Sequence, residues 1–149
     1  MIIETYGDLL KADAEALVNP VNTVGVMGAG LARQFRDAYP HNTAAYQAAC
    51  RAGEVRTGRV LVWELGAPLI INFPTKTHWR QPSVLGDIAE GLRDLRQVIS
   101  DYEIRSIAVP ALGCGLGGLD WDEVYPLIKA HLGGLEGVQV LVYPPVKKK

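Results

Sequence analysis

The chain has 149 residues, a length that suits one domain. A hydrophobic share of 48% is enough to bury a real core, and 15 basic against 16 acidic side chains exclude the strongly basic surface of a sequence-blind nucleic-acid clamp. A site for one nucleotide or a chain end stays open, because Arg33, Arg36, Arg51, Arg56 and Arg59 outnumber Asp37 and Glu54 over one span.

In chain order, residues 2–6 read as a first strand and 16–19 as a second. Residues 31–38 are helical in pattern, with Leu31, Gln34, Phe35 and Ala38 on one face, and 42–52 form an alanine-rich helix ended by Gly53. Strands follow at 59–64 and 69–73, with Gly66-Ala67-Pro68 as the turn between them. Pro74 cannot continue a central strand, so the chain is expected to leave the sheet there, setting Lys76 and His78 just past a strand end. The longest helix spans 83–102, with Leu85, Ile88, Leu92, Leu95 and Ile99 as its apolar stripe. A strand at 106–109, a helix from Trp121 to about Leu132 capped by Asp120, and a last strand at 138–143 complete the pattern. Alternating strands and helices predict an α/β sheet of six strands with helices on both faces.

Cys50 and Cys114 lack metal-ligand spacing and no His/Cys cluster accompanies them, so reduced thiols, a cytoplasmic location and no bound metal are expected. Glu4 argues against a signal peptide, and no apolar run reaches transmembrane length, so no membrane partner is expected. Lys147-Lys148-Lys149 reads as a solvated tail.

Two glycine-rich segments each lie between a strand and a helix. In Val24-Gly25-Val26-Met27-Gly28-Ala29-Gly30-Leu31-Ala32, a helix opening at Gly30 would aim free N–H groups at an anion; the segment fits neither the dinucleotide fingerprint nor a Walker loop. In Pro110-Ala111-Leu112-Gly113-Cys114-Gly115-Leu116-Gly117-Gly118-Leu119, consecutive N–H groups form an anion-binding nest. Two such loops at the strand ends of one sheet can hold a diphosphate between them. Cys114 near a helix start has the position of a nucleophile, but without a paired base it reads as a small, partly buried thiol. Asp8, after the first strand, either accepts from an exocyclic amine such as that of adenine or caps a turn. In Asn19-Pro20-Val21-Asn22 the amides either cap the strand end or position sugar hydroxyls.

Taken in order, these segments resemble the macrodomain, an ADP-ribose-binding module. Gly7-Asp8-Leu9, Asn19-Pro20-Val21-Asn22, Gly28-Ala29-Gly30-Leu31-Ala32 and Gly113-Cys114-Gly115-Leu116 are similar to its four ligand elements, over nearly the whole chain. Within the family, the 22–32 segment, Asn72-Phe73-Pro74-Thr75-Lys76-Thr77-His78-Trp79 and the 113–121 segment resemble the DarG antitoxins of DarT–DarG toxin–antitoxin systems. The terminal ADP-ribose protein glycohydrolase of animals is similar too. It has a lysine at the position of Lys76 and an aspartate in the second loop, where this chain has Gly117.

The resemblance implies a three-layer α/β/α sandwich with a six-stranded mixed sheet, as one macrodomain over 1–149 without the toxin-binding domain that complete DarG proteins carry. It implies that Asp8, Leu9 and Tyr143 lie at adenine, and that Gly28, Ala29, Gly30 and Leu31 with Gly113, Cys114, Gly115, Leu116, Gly117 and Gly118 hold the diphosphate and distal ribose. Asn22, Thr75 and His78 would line the ribose beside Lys76. The implied activity is removal of ADP-ribose from thymine bases of single-stranded DNA, reversing a DarT-type toxin, by a monomer without cofactor. The alternatives are a reader of ADP-ribose and a hydrolase acting on modified acidic protein side chains. Lys76 is the expected catalytic group, either as a neutral amine attacking the anomeric carbon or as a cation stabilising charge on the leaving base. His78 serves as an acid–base group or makes a structural hydrogen bond, and Trp79 stacks on a base or packs.

Overall fold

The computed structural model describes residues 1–146; the expected lysine tail lies outside the described residues. The strands are β1 (Ile2–Glu4), β2 (Ala16–Asn22), β3 (Leu61–Trp63), β4 (Leu69–Lys76), β5 (Ser106–Val109) and β6 (Gln139–Val142). The helices are α1 (Gly30–Ala38), α2 (Pro40–Arg51), α3 (Leu85–Asp101) and α4 (Trp121–Leu132), with a 3-10 turn at Leu9–Lys11.

The sheet order is β1-β6-β5-β2-β4-β3, parallel throughout except for β3, which runs antiparallel to β4. The expected six-stranded mixed sheet is therefore present. Alternation along β2 divides the core. Ala16 and Val18 face a cluster containing Ile88, Leu92, Leu95 and Ile99 of α3 with Val124, Ile128 and Leu132 of α4. Leu17 and Val21 face Phe35 of α1 with Tyr46 and Ala49 of α2. The strands read as continuous apolar runs because both faces are covered. α3 approaches β4 so closely that a Cβ on Gly91 would collide with the Phe73 ring.

From β2 the chain moves one way, to β3 at the edge and back to β4; from β5 it moves the other way, to β6. The order thus reverses between β2 and β5, the place where an open parallel sheet leaves a crevice at its carboxyl edge. The loops after β2 and β5 flank that crevice.

One expectation fails here. The chain does not leave the sheet at Pro74: β4 continues to Lys76, paired with β2 through the Asn22–Lys76 register. The reason is local. β3 pairs with β4 only as far as Asn72, so at Pro74 the β3 side of the strand is a free edge, where a missing N–H costs no ladder bond. β2 likewise extends beyond residue 19 to Asn22. Lys76 therefore stands on the sheet, not in a loop past it, and a side chain on a strand is held more firmly than one on a loop.

Candidate active site

Lys76 is the last residue of β4, half-buried, and its Nζ donates to the carbonyl oxygen of Trp79 at 3.1 Å. Behind it, Thr75 is buried and its hydroxyl donates to Val21 O at 3.4 Å. Ahead of it, Thr77 O accepts from both the N–H and the hydroxyl of Thr23, at 3.0 and 2.7 Å, fastening this segment to the first loop. His78 Nδ1 accepts from the Arg80 N–H at 3.1 Å, so the structural hydrogen bond considered for this histidine is formed.

The loop after β2 is built around Asn22. Its Oδ1 accepts from the N–H groups of Val24, Gly25 and Val26 at 3.1, 3.1 and 3.3 Å, while its Nδ2 donates to Val26 O at 2.7 Å. The asparagine thus occupies one backbone nest itself. From α2, the Tyr46 hydroxyl donates to Asn22 O at 2.7 Å and Gln47 Nε2 donates to Gly25 O at 3.1 Å. Burial raises the Tyr46 hydroxyl well above the usual phenol range, so it stays a donor. Arg36 Nη1 adds a bond to Met27 O at 3.4 Å. With Met27 buried as an anchor, Gly28, Ala29 and Gly30 are left exposed. α1 then opens at Gly30 with φ +59°, no side-chain cap and no acidic residue in its first turn. An uncapped helix start presents several unpaired N–H groups and a partial positive charge.

The loop after β5 is the facing cradle. Gly113 O accepts from Leu119 N–H at 2.9 Å and Gly115 O from Gly118 N–H at 3.2 Å, which folds the loop on itself. Among the described residues, no protein acceptor takes the N–H groups of Gly115, Leu116 or Gly117. Ser83, buried before α3, braces the loop by donating its N–H to Gly117 O at 2.9 Å. Its hydroxyl lies where a Cβ on Gly117 would have to go. The path of the loop therefore excludes any side chain at 117, which is the physical content of the glycine at a position where the animal enzyme has an aspartate. Burial, reinforced by the Asp120 charge, pushes the Cys114 thiol up to about 11. The thiol is neutral at physiological pH, in keeping with a packed side chain and against a nucleophile.

At the far end of the same edge, Asp8 Oδ1 accepts from Leu10 N–H at 3.0 Å and caps the 3-10 turn. The Leu9 side chain is in the core, while its N–H has no protein acceptor among the described residues. Tyr143 follows β6, and partial burial together with the Asp8 charge raises its hydroxyl above the usual phenol range. Two cavities lie away from this edge: one of about 310 Å³ between α2 and β3, the other of about 460 Å³ at the opposite strand ends. Among the described residues no group of His, Cys, Asp and Glu could hold a metal ion.

Against known families, the Macro domain profile matches residues 18–128. The chain belongs to the macro domain family. A curated relative from Thermus aquaticus, a DNA ADP-ribosyl glycohydrolase, is 53% identical over 146 residues, covering 95% of this chain and 40% of that protein. This macro domain thus spans about two fifths of that relative's length. Among solved structures, the macrodomain of Mycobacterium tuberculosis DarG superposes with a TM-score of 0.94 at 50% identity, covering 98% of this chain and 99% of that one. Thermosipho africanus DarTG in complex with ADP-ribose superposes at 0.93 with 35% identity, covering 99% of this chain and 42% of that one.

Within this macro domain, the sequence-predicted site residues gather along one sheet edge in the order of their strands: Asp8, Leu9 and Tyr143, then the 113–118 loop, then the 28–31 loop, then Lys76 with Thr75 and His78. Asn22 is Lys76's register partner, but its carboxamide is committed to its own loop. Sequence reasoning missed Tyr46, Gln47 and Ser83, which brace the two loops from outside any motif. It also missed the amide cluster behind them, in which Asn19 and Asn42 donate to Asn72 Oδ1 at 3.1 and 3.2 Å. An asparagine inside the apolar run 69–73 was the available signal, since a buried amide needs partners.

Proposed function

We propose that this macro domain binds ADP-ribose across the carboxyl edge of its sheet and releases it from thymine bases of single-stranded DNA, undoing the work of a DarT-type toxin. The observation that carries the reading is the placement of Lys76 on the last position of β4, on the sheet edge that also carries the uncapped start of α1 and the acceptor-free N–H groups of Gly115, Leu116 and Gly117. The glycohydrolase name of the Thermus aquaticus relative and the ADP-ribose in the Thermosipho africanus complex support it.

Asp8 accepts from the adenine amine while the Leu9 N–H donates to a ring nitrogen, a donor–acceptor pair that matches adenine's edge. Tyr143 lies against the ring. The free N–H groups of the 28–31 and 113–118 loops take the diphosphate, each in a charge-assisted bond. The anomeric carbon of the distal ribose then comes to Lys76. Asn22 acts by shaping the first loop around the ribose, and Thr75 and His78 flank it. As a free amine, Lys76 forms a bond to the anomeric carbon of the opened sugar while the bond to the base breaks; the base leaves with the amine's proton, and water hydrolyses the imine to free ADP-ribose. As an ammonium it stabilises the charge of the departing base. Trapping with cyanoborohydride separates the two routes, since only the first leaves ADP-ribose on Lys76.

The test is competition between substrates: DNA carrying ADP-ribosyl-thymidine beside protein carrying ADP-ribosyl-glutamate. The reading expects label to leave the DNA. Label leaving only the protein, or binding without release from either, would replace it with the hydrolase or reader alternative.

A further inference from the structure

We propose that His78-Trp79-Arg80 is a stacking subsite for an unpaired nucleobase next to the modified thymine. The proposal deepens the glycohydrolase reading above and rests on it. Trp79 is 43% exposed. The His78 ring stacks on its indole at 5.4 Å and 29°, and the Arg80 guanidinium carbon lies 4.5 Å from the indole centroid. Three flat groups consecutive in the chain are thus held in one short ladder, and Arg80 is exposed to solvent. A guanidinium placed over an aromatic ring keeps its charge and is itself planar, so a base of any sequence can stack on it.

The ladder's position gives it a role. Trp79 O is the acceptor of Lys76 Nζ, so the stack begins one hydrogen bond from the candidate catalytic amine. Thr23 ties the same segment to the first loop through Thr77 O. Charge agrees: residues 65–86 contain no Asp or Glu, whereas Lys76 and Arg80 are basic. A strand whose thymine is delivered to Lys76 therefore meets aromatic and cationic side chains immediately beside it, on a segment that carries no acid of its own. In a duplex the face of the neighbouring base is already covered by its own stack, so the ladder favours the single-stranded form.

The experiment compares kcat/KM for an ADP-ribosylated single-stranded oligonucleotide with that for ADP-ribosyl-thymidine, which has the same scissile bond and no flanking base. The wild type should favour the oligonucleotide. Trp79→Ala and Arg80→Ala should each lose about tenfold on the oligonucleotide and nothing on the nucleoside. Arg80→Lys should lose as well, because a point charge does not stack. Both side chains are exposed, and unchanged melting temperatures would confirm that the variants fold. Equal losses on both substrates would overturn the proposal, since the ladder would then only order Lys76. Full activity of Arg80→Lys would overturn it in favour of simple phosphate attraction, and so would undiminished oligonucleotide turnover in all variants. If the wild type releases ADP-ribose from neither DNA substrate, the glycohydrolase reading fails and this proposal with it; if the wild type is active but the variants show no oligonucleotide-selective loss, the ladder alone fails.

Discussion

Asn22 turns one carboxamide into the frame of the loop after β2. Three backbone N–H groups converge on its Oδ1, and Tyr46 holds its carbonyl from α2. Asn22→Ala leaves those donors without an acceptor, so a loss of about 1–3 kcal/mol in urea unfolding is expected, together with weaker ADP-ribose binding. The sequence marked Asn22 because it ends a strand before a glycine-rich stretch. It carried no mark for Tyr46, whose partner lies 24 residues earlier and is reached only once α2 has packed on the sheet. Cys114 shows the opposite case. Its place before a helix was legible, while its environment was not. Burial and the Asp120 charge raise it to about 11, so the native thiol keeps its proton above the pH at which an unfolded thiol loses it. Alkylation of Cys114 by iodoacetamide should therefore be slow at pH 8 and speed up towards pH 11. For the same reason, this group favours the native state less and less as pH rises from the ordinary thiol range towards 11.

At the scale of elements, the strands and helices were largely legible, because apolar runs between glycines and prolines announce a sheet covered on both faces. Pro74 was misread because a rule for central strands was applied where the neighbour, β3, had already ended. No pattern within β4 reveals how far a partner from elsewhere in the chain extends. The tight turn at 113–118 was legible from its glycines, but its brace, Ser83, was not: the contact depends on the tight approach of Ser83 to Gly117. Gly118 has φ +78° and open space around a would-be Cβ, so strain and charge can be separated there. Gly118→Ala carries the strain alone, at about 1–2 kcal/mol, and should keep most of the ADP-ribose affinity. Gly118→Glu adds a carboxylate to the diphosphate nest and should abolish binding heat in calorimetry while still melting cooperatively.

At the scale of the whole molecule, five parallel strands bring the groups proposed to meet adenine, diphosphate and ribose to one edge, although they come from segments between Asp8 and Tyr143. A ligand spanning that edge ties together loops from both sides of the strand-order reversal. ADP-ribose at a hundred times its Kd should therefore stabilise the fold by about 2.7 kcal/mol, a rise in melting temperature of roughly 5–10 °C for a chain of this size. No helix among the described residues is long and apolar enough to cross a membrane. The central claim concerns one amine, and one pair of measurements on Lys76→Ala addresses it. The account predicts that release of ADP-ribose from modified single-stranded DNA falls by about a hundredfold or more while calorimetric affinity for ADP-ribose stays near that of the wild type. Release at the wild-type rate from a variant that binds normally would contradict it.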